Sequence, residues 1–276
     1  SGYTDIAIGV ALLMGFRLSP NFNSPYKAKN CSEFWGRWHI SLSTWLKDYL
    51  YIPLGGNRTA TKGTYINFAL ILLVVILLAS SWVVTAIVAG FALLMFVLIK
   101  FVPAASKGIT SNINRLITML LGGLWHGSSW NFIIWGGLNG LGVVVYKYWK
   151  KISPWENKSG ALVTVWRIFL TFSFITFTRV FFRAPDIDTA FAMLRNIGTN
   201  FNVAVIPAVL LGYWKVWAIM VFGFITHWLG DNFKAKWRDR FINMPHWGQV
   251  IITVVVVFCI YQSICSDMQA FIYFQF

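Results

Sequence analysis

Two histidines sit in settings suited to proton-transfer chemistry. His126 lies in LGGLWHGSSWNFIIWGGLNG, Leu121 to Gly140, where it is the one ionisable side chain among two glycine pairs and three tryptophans. His39 lies in EFWGRWHISLSTWLKDYLYIPLGGNR, Glu33 to Arg58. Imidazole is the side chain whose ordinary pKa falls nearest neutrality, so it can take a proton from an attacking hydroxyl and return it to a leaving group. The competing account of His126 is a neutral ring packed among Trp125, Trp130 and Trp135, donating one hydrogen bond. Ser128, Ser129 and Asn131 are its chain neighbours, and spacing does not make a triad of them; Asn131 is taken as a candidate orienting group. His227, in ITHWLG, and His246, in MPHWGQ, read as a packed residue of a span and an interfacial one.

The elements that carry these histidines are set by an apolar solvent. Hydrophobic residues make up 57% of the 276, aromatics 18% and charged residues 12%, and the mean hydropathy is +0.63. Gly63 to Ile99 and Leu116 to Tyr146 contain no Asp, Glu, Lys or Arg, nor does Trp247 to Asp267 until its last residue. About 20 apolar residues cross a hydrocarbon core, and a soluble domain hardly buries three such runs. The net charge of +14 resides in the connections rather than on one stripe, which argues against nucleic acid and for loops held on a cytoplasmic face. Cys31, Cys259 and Cys265 lack metal-ligand spacing and read as unpaired small apolar residues. No metal is expected, and no signal peptide is visible.

The expected pieces follow in order. Residues 1–16 end an apolar helix; 17–30 form a polar loop; 31–50 form an amphipathic helix whose Trp35, Trp38, Leu42, Trp45 and Tyr49 share one face. Gly63 to Ile99 would be about 55 Å long as one helix, so two spans meeting near Ser80 and Ser81 are expected. Ala161 to Phe182 spans with Arg167 and Arg179 inside it, Val203 to Leu229 spans around Lys215, and Trp247 to Ile264 is the last span. These three intramembrane cations suit structural pairing or cavity lining better than catalysis. If residues 116–146 enter the membrane and return, or cross twice, the basic loops 17–62, 100–115, 147–158 and 231–246 share one face, leaving Arg183 and Arg195 opposite. A backbone broken by glycine at membrane depth survives where protein or a water-filled cavity satisfies it. His126 is therefore expected to line a cavity.

The strings FWGRWHISLSTWLKDYLYIPLGGNR and LWHG, with the terminal FIYFQF, resemble the membrane-bound O-acyltransferase family, in particular its bacterial alginate O-acetyltransferase-like branch. The resemblance to D-alanyl transfer proteins of teichoic acid modification is weaker. It runs from SGYTDIAIG to the end and corresponds to the latter part of a typical member, so the chain is expected to be a single membrane-embedded domain, 1–276, lacking N-terminal spans. Residues 64–115 add an apolar hairpin and basic loop where many relatives pass directly to LWHG; this hairpin is expected at the periphery.

The resemblance implies an all-α, polytopic helix bundle with re-entrant or broken helices around a central tunnel, multi-pass in the bacterial cytoplasmic (inner) membrane. It implies acetyl-CoA or another acyl thioester as cytoplasmic donor and a hydroxyl of a cell-envelope or exported polysaccharide as acceptor, reached directly or through an exported SGNH-hydrolase-like partner. By position His126 takes the role of the family's catalytic histidine and His39 that of its other motif histidine. His39 stays open between orienting the donor, relaying a proton and hydrogen-bonding within its helix. Arg37, Lys47 and Arg58 are candidate donor contacts, although basic residues there also hold topology, and Trp125 and Trp130 are candidate lining of the implied tunnel. A channel or secondary transporter is the alternative, since broken glycine-rich segments and buried charges also build transport sites.

Overall fold

A computed structural model of the chain describes residues 2–79 and 81–264; Ser80, Cys265 and the FIYFQF terminus lie outside the described residues. Within them there are thirteen α-helices and no strand, and the chain packs as two compact units, Ser1–Phe201 and Asn202–Phe276.

The first unit opens with α1 (Gly2–Leu13), a 3-10 turn at Pro25–Lys27, α2 (Cys31–Arg37), α3 (Ile40–Leu46) and a π-helical turn at Lys47–Tyr51. Asn30 caps α2, its side chain accepting the Glu33 N–H at 2.8 Å. The single amphipathic helix expected over 31–50 is thus broken at His39, whose φ of 47° and ψ of 51° are left-handed. The aromatic face is split by the break: Phe34 is buried with Trp35 and Trp38 against the cluster holding Ala28 and Ile175, whereas Trp45 and Tyr49 are 54% and 70% exposed.

Next come α4 (Lys62–Ala79) and α5 (Trp82–Phe101), separated where the length of the uncharged run demands a turn, then α6 (Pro103–Leu124) and α7 (Trp130–Ile152). Pro103 opens α6 at a position where a missing N–H costs nothing. The basic loop expected at 100–115 is instead the first half of this helix, because an uncharged run marks where the surroundings are apolar, not where a helix begins. Residues of α4 and α5, Phe68, Ile71 and Ile99, pack on Ile113 and Ile117 of α6.

Helices α6 and α7 form an antiparallel hairpin. Gly123 lies against Gly136, and a Cβ on either would run into a carbonyl of the facing helix, that of Phe132 or of Met119. Such close approach is what small residues permit between apolar helices. At the hairpin's other end Asn112 donates to the Tyr148 hydroxyl at 2.7 Å and Lys147 donates to Asn112 at 2.8 Å, so the cations of 107–115 and 147–151 gather together.

The unit closes with α8 (Ala161–Arg183) and α9 (Ile187–Thr199). Among the described helices α8 is the one long and apolar enough to cross a bilayer unbroken. Arg167 pairs with Glu156 at 3.0 Å, and Tyr146 donates to the same carboxylate at 2.6 Å. Asp186 caps α9; the Thr189 N–H on its carboxylate holds that group below the usual range.

In the second unit the expected span 203–229 is interrupted at Tyr213, between α10 (Ile206–Gly212) and α11 (Trp214–Trp228). A sharp bend of 118° then separates α12 (Asp231–Ile242) from α13 (His246–Ile264). Large apolar side chains stand exposed here, Ile219 at 71% and Phe222 at 67% among them. That is the pattern of helices solvated by lipid.

Candidate functional site

The break at residues 125–129 between α6 and α7 and the break at His39 face one another, and their histidine rings lie 6.3 Å apart between centroids. Far apart in sequence, the two motifs thus build one site. His126 is 9% exposed and boxed by aromatic rings: Trp125 at 4.9 Å, Trp135 at 5.1 Å and Phe182 at 5.1 Å, each nearly perpendicular to it, with Phe132 at 6.2 Å. Trp135 comes from the returning helix α7 and Phe182 from the end of α8, so three helices must assemble before the box exists.

His39 is placed by strain that its surroundings over-determine. A left-handed backbone costs a residue with a Cβ roughly 1–2 kcal/mol. Against that, the Ile40 N–H donates to the Asn21 carbonyl at 2.9 Å, the Ser41 N–H and hydroxyl donate to the Asn21 side-chain oxygen at 3.0 and 2.9 Å, and the Ser43 hydroxyl donates to the Trp38 carbonyl at 3.1 Å. Asn23 bonds backbone to backbone with Arg37. Residues 21–23 are thus a strap across the helix break.

A cavity of about 290 Å³ runs from His126 along α6. Its wall on that helix is one stripe, Arg115, Thr118, Met119 and Gly122, leading to His126; at 1.5 Å per residue Arg115 lies about 16 Å from the histidine. Trp35, Leu42 and Trp135 form apolar wall, and Lys47, Tyr51 and Arg115 also line the cavity. Asn57, in the GGN turn, gathers part of this lining: its side-chain oxygen is 2.6 Å from the Tyr51 hydroxyl, 2.9 Å from an Arg115 nitrogen and 3.1 Å from the Ser111 hydroxyl. The turn is anchored on the buried side chain of Asn114, which donates to the Gly56 carbonyl at 3.1 Å and meets the Thr64 hydroxyl at 2.9 Å.

The expected donor contacts separate. Lys47 lines the cavity, although its ammonium also reaches Asp48 at 3.6 Å. Arg37 does not line it: its guanidinium pairs with Glu33 at 2.9 Å and donates to the Asn23 carbonyl, locking the strap instead. Arg58 lines a different pocket, with Tyr65, Lys107 and Thr110. Asn131 is buried, but its amide donates to the Ala184 carbonyl at 2.9 Å, tying α7 to the end of α8 rather than orienting His126 by a hydrogen bond. Trp125 stacks edge-on against His126 yet is 56% exposed, and Trp130 is 47% exposed; the tryptophans that line the cavity are Trp35 and Trp135.

Sequence reasoning missed Arg115, Asn57 and Asn21. The first was readable: Arg115, Thr118, Met119, Gly122 and His126 follow helical spacing once 103–124 is taken as one helix. Arg179, expected to pair or line a cavity, lies with its guanidinium 4.3 Å from the centre of the Trp38 ring, beside His39.

The profile of the membrane-bound O-acyltransferase family matches residues 1–102. Over 201 residues the chain is 35% identical to the peptidoglycan O-acetyltransferase of Helicobacter pylori, covering 72% of this chain and 29% of that protein. Over 195 residues it is 37% identical to the probable alginate O-acetylase AlgI of Azotobacter vinelandii, covering 70% and 28%. The teichoic acid D-alanyltransferase of Bacillus subtilis is 28% identical over 182 residues, 64% of this chain and 35% of that protein. The chain therefore matches less than a third of the length of the two O-acetylating relatives. The profile match and these identities make the chain a member of the membrane-bound O-acyltransferase family.

Proposed function

We propose that this chain carries the acyl-transfer centre of a membrane O-acyltransferase, multi-pass in the bacterial cytoplasmic membrane, which moves an acetyl group from a cytoplasmic acyl thioester toward a hydroxyl of a cell-envelope or exported polysaccharide. The acceptor is the glycan itself or an exported SGNH-hydrolase-like carrier. The observation that carries this reading is the meeting of His39 and His126, 6.3 Å apart, with His126 at one end of a cavity that Lys47 and Arg115 also line. The names of the O-acetylating relatives support the class of acyl group and acceptor.

In the proposed reaction His126 accepts the proton of the acceptor hydroxyl as its oxygen attacks the thioester carbonyl carbon. The tetrahedral intermediate collapses with cleavage of the C–S bond, and the imidazolium returns the proton to the departing thiolate. An ester forms, a thioester is lost, and no other reactant is needed. The donor's carrier arm lies along the α6 stripe, with its phosphates toward Lys47 and Arg115 and its thioester at His126. Trp35, Trp135 and Phe182 exclude water that would hydrolyse the thioester.

The test is His126→Gln in the full-length protein, which keeps a polar side chain but no base near neutral pH. Acetyl transfer from labelled donor in membranes should fall about 100- to 10,000-fold with protein still folded and membrane-inserted. Wild-type rates in the Gln variant would return His126 to the role of a packed, hydrogen-bonded ring.

A further inference from the structure

We infer that Asn21 is a positioning residue that fixes the tautomer of His39, with Nδ1 bare and the proton on Nε2, and so makes His39 the hydrogen-bond donor of the histidine pair. The reasoning starts from the Asn21 amide, whose two ends are told apart by its partners. The Ser41 backbone N–H, 3.0 Å away, can only donate, so the side-chain oxygen of Asn21 faces Ser41, where it also accepts the Ser41 hydroxyl at 2.9 Å. The amide nitrogen is then the atom turned toward His39, 3.5 Å from Nδ1. An amide nitrogen donates and does not accept. Nδ1 must therefore be the acceptor, and a neutral imidazole with Nδ1 bare carries its hydrogen on Nε2.

The backbone around this contact is rigid. The Asn21 carbonyl holds the Ile40 N–H at 2.9 Å, Asn23 holds the Arg37 carbonyl at 2.9 Å, and the Phe22 ring between them lies 5.0 Å from His39 and 4.9 Å from Trp38. The strap therefore restrains His39 through its backbone on one side and its ring on the other. Trp38 at 5.8 Å and His126 at 6.3 Å also stand beside the ring, with Arg179 stacked on Trp38.

Resting on the acyl-transfer reading, this divides the labour of the pair. His126 acts as the base, while the Nε2–H of His39 supplies a donor for oxygen charge that develops as the thioester carbonyl is attacked. A wrong tautomer in such a pair leaves geometry intact and removes function; in the serine-protease case reversal costs about 10,000-fold in kcat.

Ring-15N histidine labelling of the full chain in bilayers reads the tautomer directly, with the His39 signals assigned by difference from His39→Gln. This chain holds four histidines, so the spectrum is tractable. The wild type should show bare Nδ1 and protonated Nε2 at His39. Asn21→Asp should move the proton to Nδ1, since a carboxylate accepts there, and Asn21→Ala should mix the two tautomers. Both should lower kcat by about 100-fold, as expected for misplacing a catalytic contact, with the KM for donor within about 2-fold, since binding through the α6 stripe is untouched. Ser41→Ala, which keeps the Ser41 N–H on Asn21, should leave spectrum and rate near wild type. A wild-type His39 protonated on Nδ1 overturns the inference, as does an Asn21→Ala variant with unchanged spectrum and kcat. The wild-type spectrum decides the tautomer even if no acetyl transfer is found, so the two readings fail separately.

Discussion

Replacing Arg115 by Gln tests whether the cavity along α6 holds a phosphate-bearing donor. The guanidinium lines the cavity about 16 Å from His126, donates to Asn57 at 2.9 Å, and pairs with no carboxylate among the described residues. A charge-assisted hydrogen bond contributes about 1.5–3 kcal/mol, and partial exposure and salt reduce this to about 1–2 kcal/mol. At 1.4 kcal/mol per decade that is about a 5- to 30-fold loss. The loss should fall on kcat/KM for the donor, with kcat at saturating donor within about 2-fold, because the reacting carbon is about three helical turns away from the substitution. Initial rates against acetyl-CoA concentration, at low and high salt, measure it; high salt should bring the wild type toward the variant. A truncated donor, S-acetyl-N-acetylcysteamine, has no phosphate and should be indifferent to the substitution. Equal losses with both donors, or a fall in kcat at constant KM, would refute the placement of phosphate at Arg115.

Two stability predictions concern how the hairpin and the turn are held. Gly136→Ala should cost about 1–3 kcal/mol, seen as a lowered melting temperature in detergent, because its Cβ meets the Met119 carbonyl; Gly137→Ala, which meets the end of the Leu120 side chain at 3.4 Å, should be neutral or slightly stabilising. Asn114→Leu should cost about 1–3 kcal/mol by stripping partners from the Gly56 and Thr59 carbonyls and the Thr64 hydroxyl, and limited proteolysis should then cut first within 54–60.

The two histidine motifs were legible as strings of residue types, and the uncharged runs located the breaks between α4 and α5 and between α6 and α7. The break at His39 was not. Trp35, Trp38, Leu42, Trp45 and Tyr49 keep one helical phase, and what interrupts it is a strap 18–20 residues upstream, Asn21 against His39 and Ser41. A local period cannot register such a contact. Charge misled in a related way. Arg37, Lys47 and Arg58 were chosen as cations near one face, but a guanidinium goes where its backbone and nearest acceptor send it: Arg37 to Glu33, Arg58 to another pocket. Splitting the chain at Arg115 because it is charged hid the helical stripe that joins it to His126.

Whether His126 is merely a packed ring can be weighed against the polar atoms around it. Trp35 Nε1, Asn131 Oδ1 and Arg179 Nε are buried with no hydrogen-bond partner among the described residues. All three belong to residues about the histidine pair: Trp35 lines the cavity and meets Trp135 edge-on at 5.7 Å, Asn131 opens the helix that follows the break, and Arg179 covers Trp38. A buried polar group left unsatisfied costs about 1–3 kcal/mol, so such atoms are ordinarily met by a protein group, water or ligand. These atoms lie on residues around the proposed site, and a polar reactant bound there would offer them partners. The same count sets a condition on the inference about Asn21: since the neighbourhood is rich in unmet polar atoms, the amide at Nδ1 matters because it fixes which edge of the His39 ring donates toward that reactant.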